Sequence, residues 1–224
     1  MVQDFNQRLD RERMSLIDWE QLLLDGWDRV GENFFRRRFE YILTIQNGVE
    51  IISPLELMPL RYKLSPQFDF TKSQRINLRR NDDLVKIIRP AHITWEKLEL
   101  FDQWYINRFN RFADLYVWVS DNGTPFPMHE LCLYKHDKLI ACSFFDVTPN
   151  LQYSTTAFYD PNEMNRSLGT YTLLCEILNG IKKDKKYHYP GHAYIQKSKY
   201  DYKKNINHKE RFDWDKQIWV PLEK

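Results

Sequence analysis

Residues 158–177 read FYDPNEMNRSLGTYTLLCEI, an apolar run that stops at a proline turn and passes straight into a helix. Pro161 fixes its own φ and presses Asp160 into an extended conformation, so a strand ends there. Beyond the turn, Leu168, Tyr171, Leu174, Cys175 and Leu178 recur at helical spacing. Asn165 and Ser167 are the candidate N-caps, and Thr170 follows as an early-helix residue. A strand handed to a helix through a compact turn leaves free N–H groups and a helix dipole at the end of a sheet, where an anion or a developing oxyanion can be held. Gly169 is costly in a helix unless something must approach the backbone, and Arg166 brings five donors to the same turn. A plain sheet-to-helix connection, with the arginine capping a carboxylate, accounts for these residues equally well.

Working upstream, LCLYK (131–135), LIACSFFDV (139–147) and YSTTAFY (153–159) read as strands, the first two joined by a His136-Asp137 turn. They are too continuously apolar to be solvated edges, which predicts an α/β chain with helices packed on a mixed, mainly antiparallel sheet. Asp146 closes the second strand as Asp160 closes the third, and antiparallel pairing would put the two acids at opposite ends. Downstream, HYPGHAYI (188–195) reads as one further strand. Tyr200 and Tyr202 then interleave with Lys199, Lys203 and Lys204, a pattern that suits nucleotide stacking with phosphate contact and also an ordinary surface.

Farther from the turn, Met14–Val30 is periodic, with Ser15 as its cap and Leu16, Trp19, Leu22, Leu23 and Trp27 on one side. Arg36, Arg37 and Arg38 lead into FEYILTI, which Asn47-Gly48 turns back into VEII as a hairpin. Pro54 and Pro59 break the pattern before another strand, RYKLS. Thr71–Asn81 predicts a helix carrying Lys72, Arg75, Arg79 and Arg80 over a thin apolar stripe, so its charged side needs phosphate or ion-pair partners. Thr94–Arg111 predicts a second helix whose aromatic face (Trp95, Phe101, Trp104, Tyr105, Phe109) is core. Asn122-Gly123 and Pro125 mark the turn before the β region. The expected organisation is a helix-and-hairpin unit over residues 1–60, closely packed on a unit spanning 61–224.

Composition bounds the rest. The 224 residues are 42% hydrophobic and 15% aromatic, which excludes disorder and permits one sizeable core. The net charge of +2 hides two basic blocks: residues 61–89 hold eight Lys/Arg against three acids, and 182–211 hold ten against three. With no long apolar run or signal-peptide pattern, a cytoplasmic protein without a membrane partner is expected. Cys132, Cys142 and Cys175 stand apart from one another, so they read as reduced, buried thiols with no metal.

Four ordered blocks carry a resemblance. The stretch at 158–177 is similar, through Phe158, Tyr159, Asp160, Pro161, Ser167, Leu168, Gly169 and Thr170, to a segment of the aminoacyl-tRNA–protein transferases, the arginyltransferase and bacterial leucyltransferase family. GWDRVGENFF (26–35) resembles that family's N-terminal signature. Gln74, Arg75, Arg79, Arg80, Asn81 and Asp83 resemble its basic helix, and Gly191, Lys199, Asp201, Tyr202 and Lys203 its C-terminal signature. The resemblance implies an N-acetyltransferase (GNAT)-like fold that uses aminoacyl-tRNA as donor, with no further cofactor. The acceptor it implies is a protein or peptide N-terminus, or in a variant a small-molecule amine, and not DNA. It further implies a catalytic group of Asp160, Tyr159, Arg166, Ser167 and Gly169. Substrate contacts would come from Trp27, Phe34, Arg36, Asp146, Thr170, Asp201 and Tyr202, and tRNA contacts from Lys72, Arg75, Arg79, Arg80, Lys197, Lys199, Lys203 and Lys204. Asp160 would orient or deprotonate the attacking amine.

The chain departs from the family in one place. Relatives carry a cysteine cluster after the N-terminal signature, whereas residues 36–64 here contain no cysteine, so a thiolate-bound metal centre has no ligands there. The departure bears on the acceptor and keeps open a tRNA- or peptide-binding protein without turnover. A single glycine at the helix entrance argues against coenzyme A as the donor.

Overall fold

A computed structural model describes residues 7–9, 15–46, 49–121, 123 and 126–223. In chain order the elements are β1 (Gln7–Leu9), α1 (Leu16–Leu24), β2 (Asp28–Val30), β3 (Asn33–Arg36), β4 (Phe39–Gln46), β5 (Val49–Lys63), α2 (Lys72–Arg80), β6 (Val85–Pro90) and α3 (Trp95–Phe109). There follow β7 (Met128–Lys135), β8 (Lys138–Val147), β9 (Leu151–Tyr159), α4 (Leu168–Lys182), β10 (Tyr187–Tyr189), β11 (His192–Tyr194), β12 (Lys209–Asp213) and β13 (Ile218–Pro221). Short 3-10 turns occupy Pro161–Arg166 and Asp201–Asn205.

The large sheet runs β13-β12-β5-β10-β9-β8-β7-β6, with β4 and β11 also paired to β5, and a small sheet runs β1-β3-β2. Within the large sheet β9 and β10 are parallel, and they are joined through α4 as a crossover. The other pairings among the described strands are antiparallel. The fold is therefore mixed α/β on a mostly antiparallel sheet. Strand alternation sorts the core onto two faces. Cys132, Cys142 and Phe158 lie in register and pack with Leu100, Phe101 and Tyr105 of α3. Leu131, Leu133 and Ala141 point the other way, onto Leu168, Tyr171 and Cys175 of α4.

Local chemistry explains the elements that sequence reading recovers. Ser15 with Asp18, and Thr71 with Gln74, form capping boxes that start α1 and α2. His136 adopts φ 54 in the two-residue loop of the β7–β8 hairpin, where its short polar turn tolerates a left-handed backbone. Gln46 stands opposite Val49, so β4 and β5 pair as the expected hairpin. Asn47 and Gly48 themselves, like Met14, Asn122 and Pro125, lie outside the described residues.

Four expectations are corrected. The periodicity read over Met14–Val30 is helical only to Leu24, and Gly26, as its type allows, takes φ 80 and turns the chain into β2. RYKLS is no separate strand: β5 runs unbroken through Pro54 and Pro59. The N–H of Leu57 bonds Arg38, so by alternation Pro54 faces away from β4 and removes no ladder bond there. HYPGHAYI is two strands, split where Gly191 takes φ 76. Cys132 and Cys142 do meet, as cross-strand neighbours with sulfurs 3.9 Å apart. Glu130 lies beside them but is committed to Lys97 and Arg89, and burial pushes the Cys142 thiol well above its usual range.

Candidate functional site

The parallel strand β10 stays with β9 only from Leu151 to Tyr153. From Ser154 onward β9 leaves its neighbour, and the wedge between them opens into a cavity of about 610 Å³. At this divergence the register against β8 slips: Phe144 faces Thr156 while Phe145 faces Ser154, leaving Thr155 as the extra residue of a β-bulge. Thr155 lines the cavity, and its buried Oγ1 has no hydrogen-bond partner. A buried hydroxyl left unsatisfied costs free energy, and bulges re-aim side chains beside functional sites.

Around the bulge the walls come from separate parts of the chain. Phe101, Trp104, Tyr105 and Phe109 of α3 form an aromatic side, and Met164, Ser167, Gly169 and Thr170 bring the entrance of α4. His192, Tyr194, Tyr200 and Tyr202 close a further side, and Asp28, Phe35, Arg37 and Glu40 come from the N-terminal region. A Cβ on Gly169 would sit 3.2 Å from Cε1 of Tyr159, so this glycine permits the close approach of helix and tyrosine ring.

Of the catalytic candidates, Tyr159, Ser167 and Gly169 line this cavity together with Thr170. Asp160 and Arg166 have other occupations. The Asp160 carboxylate accepts from the Asn162 backbone at 2.9 Å and from Lys138 Nζ at 2.6 Å, capping the 3-10 turn. Burial works against its charge, but Lys138 and Asn162 outweigh that and hold its pKa below the ordinary carboxylate value. Arg166 clamps Asp83 with two bonds of 2.8 and 2.9 Å and reaches Glu163 at 3.0 Å. Ser167 is the cap residue of α4 but has φ 52 and makes no side-chain cap bond.

The remaining substrate candidates divide in the same way. Tyr202 lines the cavity. Phe34 is buried in the core edge-on to Trp19, and Trp27 packs against the same cluster. Arg36 lies over the rings of Phe212 and Trp214 and bonds Gln217. Asp146 is wholly buried in an ion pair with Arg29, at 2.6 and 2.8 Å, and also accepts from Trp19 Nε1. Asp201 ties Ser198 to Lys204.

The basic residues face several directions. Lys72, Arg75, Arg79, Arg80, Lys197 and Lys199 are exposed. Arg79 and Arg80 border an open hollow of about 690 Å³ with Asp83, Asn165 and Arg166. Arg75 bonds the Phe70 carbonyl, and Arg80 that of Asn165. The thin apolar stripe of α2 is compensated by amides: Gln74 donates to Asn205 O at 2.9 Å, while Asn77 and Asn81 each donate to Arg166 O at 3.0 Å. Lys199 Nζ donates to Arg108 O at 2.9 Å. Lys203 is half-buried against the cavity with Nζ on His192 O at 3.1 Å, and burial lowers its pKa to about 8.

Two polar clusters escaped the sequence reading. Ser154 Oγ joins Glu176 to His188 Nε2, the latter at 3.0 Å, beneath the cavity floor. Burial raises Glu176 to about 7 and lowers His188 to about 3. Asp28 accepts from His192 Nδ1 at 2.7 Å, from the Arg29 N–H at 2.8 Å and from the Tyr153 hydroxyl. Asp28 lies inside GWDRVGENFF, but its histidine is 164 residues away, a separation that no spacing rule flags.

Comparison with known proteins matches this architecture to a family. The family described as "Arginine-tRNA-protein transferase, C terminus" matches residues 95–213, which include the bulged strand, the turn and α4. An aspartate/glutamate leucyltransferase of Pseudomonas aeruginosa is 30% identical over 165 residues, covering 70% of this chain and 69% of that protein. Another, from Campylobacter jejuni, is 26% identical over 211 residues, covering 89% and 81%. Among solved structures, the C-terminal domain of a protein described as a lysylphosphatidylglycerol synthetase from Agrobacterium fabrum is similar in fold. Its TM-score is 0.50 at 13% identity, over 62% of this chain and 48% of that one. The chain belongs to the arginine-tRNA–protein transferase family.

Proposed function

We propose that this protein transfers an amino acid, leucine by preference, from aminoacyl-tRNA to the α-amine of a protein or peptide. Family membership supports the reaction class. The observation that carries the assignment of place is the wedge beside the bulge at Thr155, a cavity large enough for a terminal nucleoside with its ester and open to two substrates. The amine attacks the ester carbonyl, a C–N bond forms, and the ribose oxygen leaves. Such a step needs a fixed approach and donors aimed at the oxyanion. The unpartnered hydroxyl of Thr155 and the unpaired edge of β9 from Ser154 are the donors assigned to that oxyanion. Tyr159 is assigned to the leaving oxygen, and Gly169 keeps the helix entrance open to it.

The cavity's chemistry favours an apolar donor side chain. Trp104, Phe109, Trp118 and Met164 offer apolar contact, whereas the lining carboxylates are committed, Asp28 to His192 and Glu40 to Tyr194. An arginyl group would have to compete for them with those donors, and for Glu40 with Arg37 at 3.7 Å as well. On the acceptor side, Arg37 lines the cavity over the ring of Phe35; its only carboxylate partner among the described residues is Glu40, at a long 3.7 Å, and its Nε–H is unpartnered, which suits an acidic first residue. The N-terminal elements through β4 thus supply the acceptor wall and the large sheet with its helices the acyl-transfer unit, with the chain passing between them in β5, across residue 60. The bulged β9, the α4 crossover and the splayed β10 support a GNAT-related fold for that unit. Arg79, Arg80 and Lys197 face the tRNA backbone, and the cytoplasm, where charged tRNA is made, is the proposed site of action.

Leucyl- and arginyl-tRNA, each labelled in the amino acid, are mixed with peptides that begin with Asp, Glu, Arg or Ala. Label from leucyl-tRNA on the Asp and Glu peptides is expected. Label on no peptide overturns the reading, and label on a small amine alone replaces the acceptor.

A further inference from the structure

We propose that His192, held by Asp28, is the general base that takes the proton of the attacking amine; the assignment rests on the transfer reading above. The two residues come from distant parts of the chain and meet at the cavity wall, His192 on β11 and Asp28 on β2. Nδ1 of the imidazole lies 2.7 Å from Asp28 Oδ2, so in the neutral ring Nδ1–H donates to the carboxylate and Nε2 is left with the lone pair. Among the described residues no protein group hydrogen-bonds Nε2, and the side chain keeps 24% of its surface exposed. The rings of Tyr194 and Tyr200, 5.6 and 6.3 Å away, flank the imidazole and restrict its rotation.

The alternatives along the wall are occupied. Glu40 accepts from Tyr194, Asp28 is buried and fully bonded, and Glu176 lies beneath Ser154. Other charged or titratable groups around the imidazole are Tyr153, whose hydroxyl donates to Asp28; Arg29, whose backbone N–H donates to Asp28 while its guanidinium is held by Asp146; and Lys203, whose ammonium holds the His192 carbonyl. Positive charge that develops on the ring therefore meets the Asp28 carboxylate directly, the arrangement by which a buried acid orients a basic histidine.

The step balances. The amine nitrogen forms a bond to the ester carbon while Nε2 takes one N–H proton. The C–O bond to the ribose oxygen then breaks, and the proton passes from Nε2 to that oxygen.

His192→Ala, His192→Gln and Asp28→Asn are compared with the wild type in single-turnover leucine transfer across pH, with leucyl-tRNA affinity measured in parallel. We expect the rate constant to fall by ~10²–10⁴ for both histidine variants with donor affinity little changed, in the range of general-base removal. We also expect the acidic limb of the pH profile to disappear, and imidazole to rescue the alanine variant. Asp28→Asn is expected to fall less and to lose the Nδ1–H tautomer, which ¹⁵N shifts of the imidazole identify without any turnover. Histidine variants that transfer within about threefold of wild type with an unchanged profile, or a wild-type ring protonated on Nε2, overturn the assignment. A wild type that labels no peptide yet shows the Nδ1–H ring overturns the transfer reading, and the base with it.

Discussion

Removing Asp146 strands a guanidinium. Neither it nor Arg29 has exposed side-chain surface, and the pair is completed by Trp19. Breaking a buried pair by deleting one partner costs about 3–5 kcal/mol, so Asp146→Ala should lose that much in urea unfolding. A loss below about 1 kcal/mol would show the pair to be dispensable. Asp160 behaves oppositely. Asp160→Asn keeps an acceptor for the Asn162 N–H and gives up only a bond to a mostly exposed lysine. Transfer within about threefold of wild type and a stability loss of about 1 kcal/mol are expected, the size of a weakened cap. A folded variant without transfer would return this carboxylate to the chemistry. Residue types that can do chemistry are visible in the sequence, but which of them a neighbour consumes is not. Nothing in the sequence separates Asp160, Arg166 and Asp146 from Asp28; the fold shows all four bonded, the first three in turns and core and Asp28 to a histidine at the cavity wall.

Elements were more legible than residues because their causes are local. Capping boxes at Ser15 and Thr71, the aromatic face of α3 and the turn at His136 all lie within a few residues of what they determine. The bulge at Thr155 and the parting of β9 from β10 depend on neighbouring strands and leave no mark in YSTTAFY. Gly169→Ala tests the element that closes the wedge. Alanine improves helix propensity by about 1 kcal/mol, yet its Cβ would press on Tyr159 at 3.2 Å. Unfolding stability should hold or rise while KM for leucyl-tRNA rises about tenfold; an unchanged KM would remove Gly169 from the donor site. Beneath the same wedge, Glu176 links α4 to β9 with a pKa raised by burial from 4.5 to about 7. A raised acid favours the folded state fully below its unfolded pKa, and that contribution is lost as pH rises through the folded one. Relative to Glu176→Gln, which retains His188, the wild type should lose on the order of 3 kcal/mol between about pH 4.5 and pH 8. A difference that does not vary with pH would contradict the buried acid.

At the scale of the whole molecule, the proposed function asks the basic blocks and the cavity to serve one long substrate. Exposed Arg79 borders the hollow next to the α4 entrance, and the proposed function assigns it to backbone phosphate. Arg79→Ala should weaken leucyl-tRNA binding and reduce the slope of log affinity against log salt by ~0.7–0.9. An unchanged slope would take α2 out of the interface. Charge clusters were readable in the sequence, but their direction was not: Lys203 belongs to the same block as Lys197 and turns inward to the His192 carbonyl. No helix among the described residues is long and apolar enough to cross a membrane. The β4–β5 hairpin occupies the cysteine-free stretch after GWDRVGENFF and joins the large sheet through β5. The account as a whole stands on transfer to an N-terminal amine. Its most direct measurement is the mass of an Asp-initiated peptide after incubation with the protein and leucyl-tRNA, beside the same peptide with its α-amine acetylated. The account predicts that the free peptide gains one leucine residue at its N-terminus and the acetylated one gains nothing. A free peptide recovered unchanged, or leucine added equally to both, would contradict it.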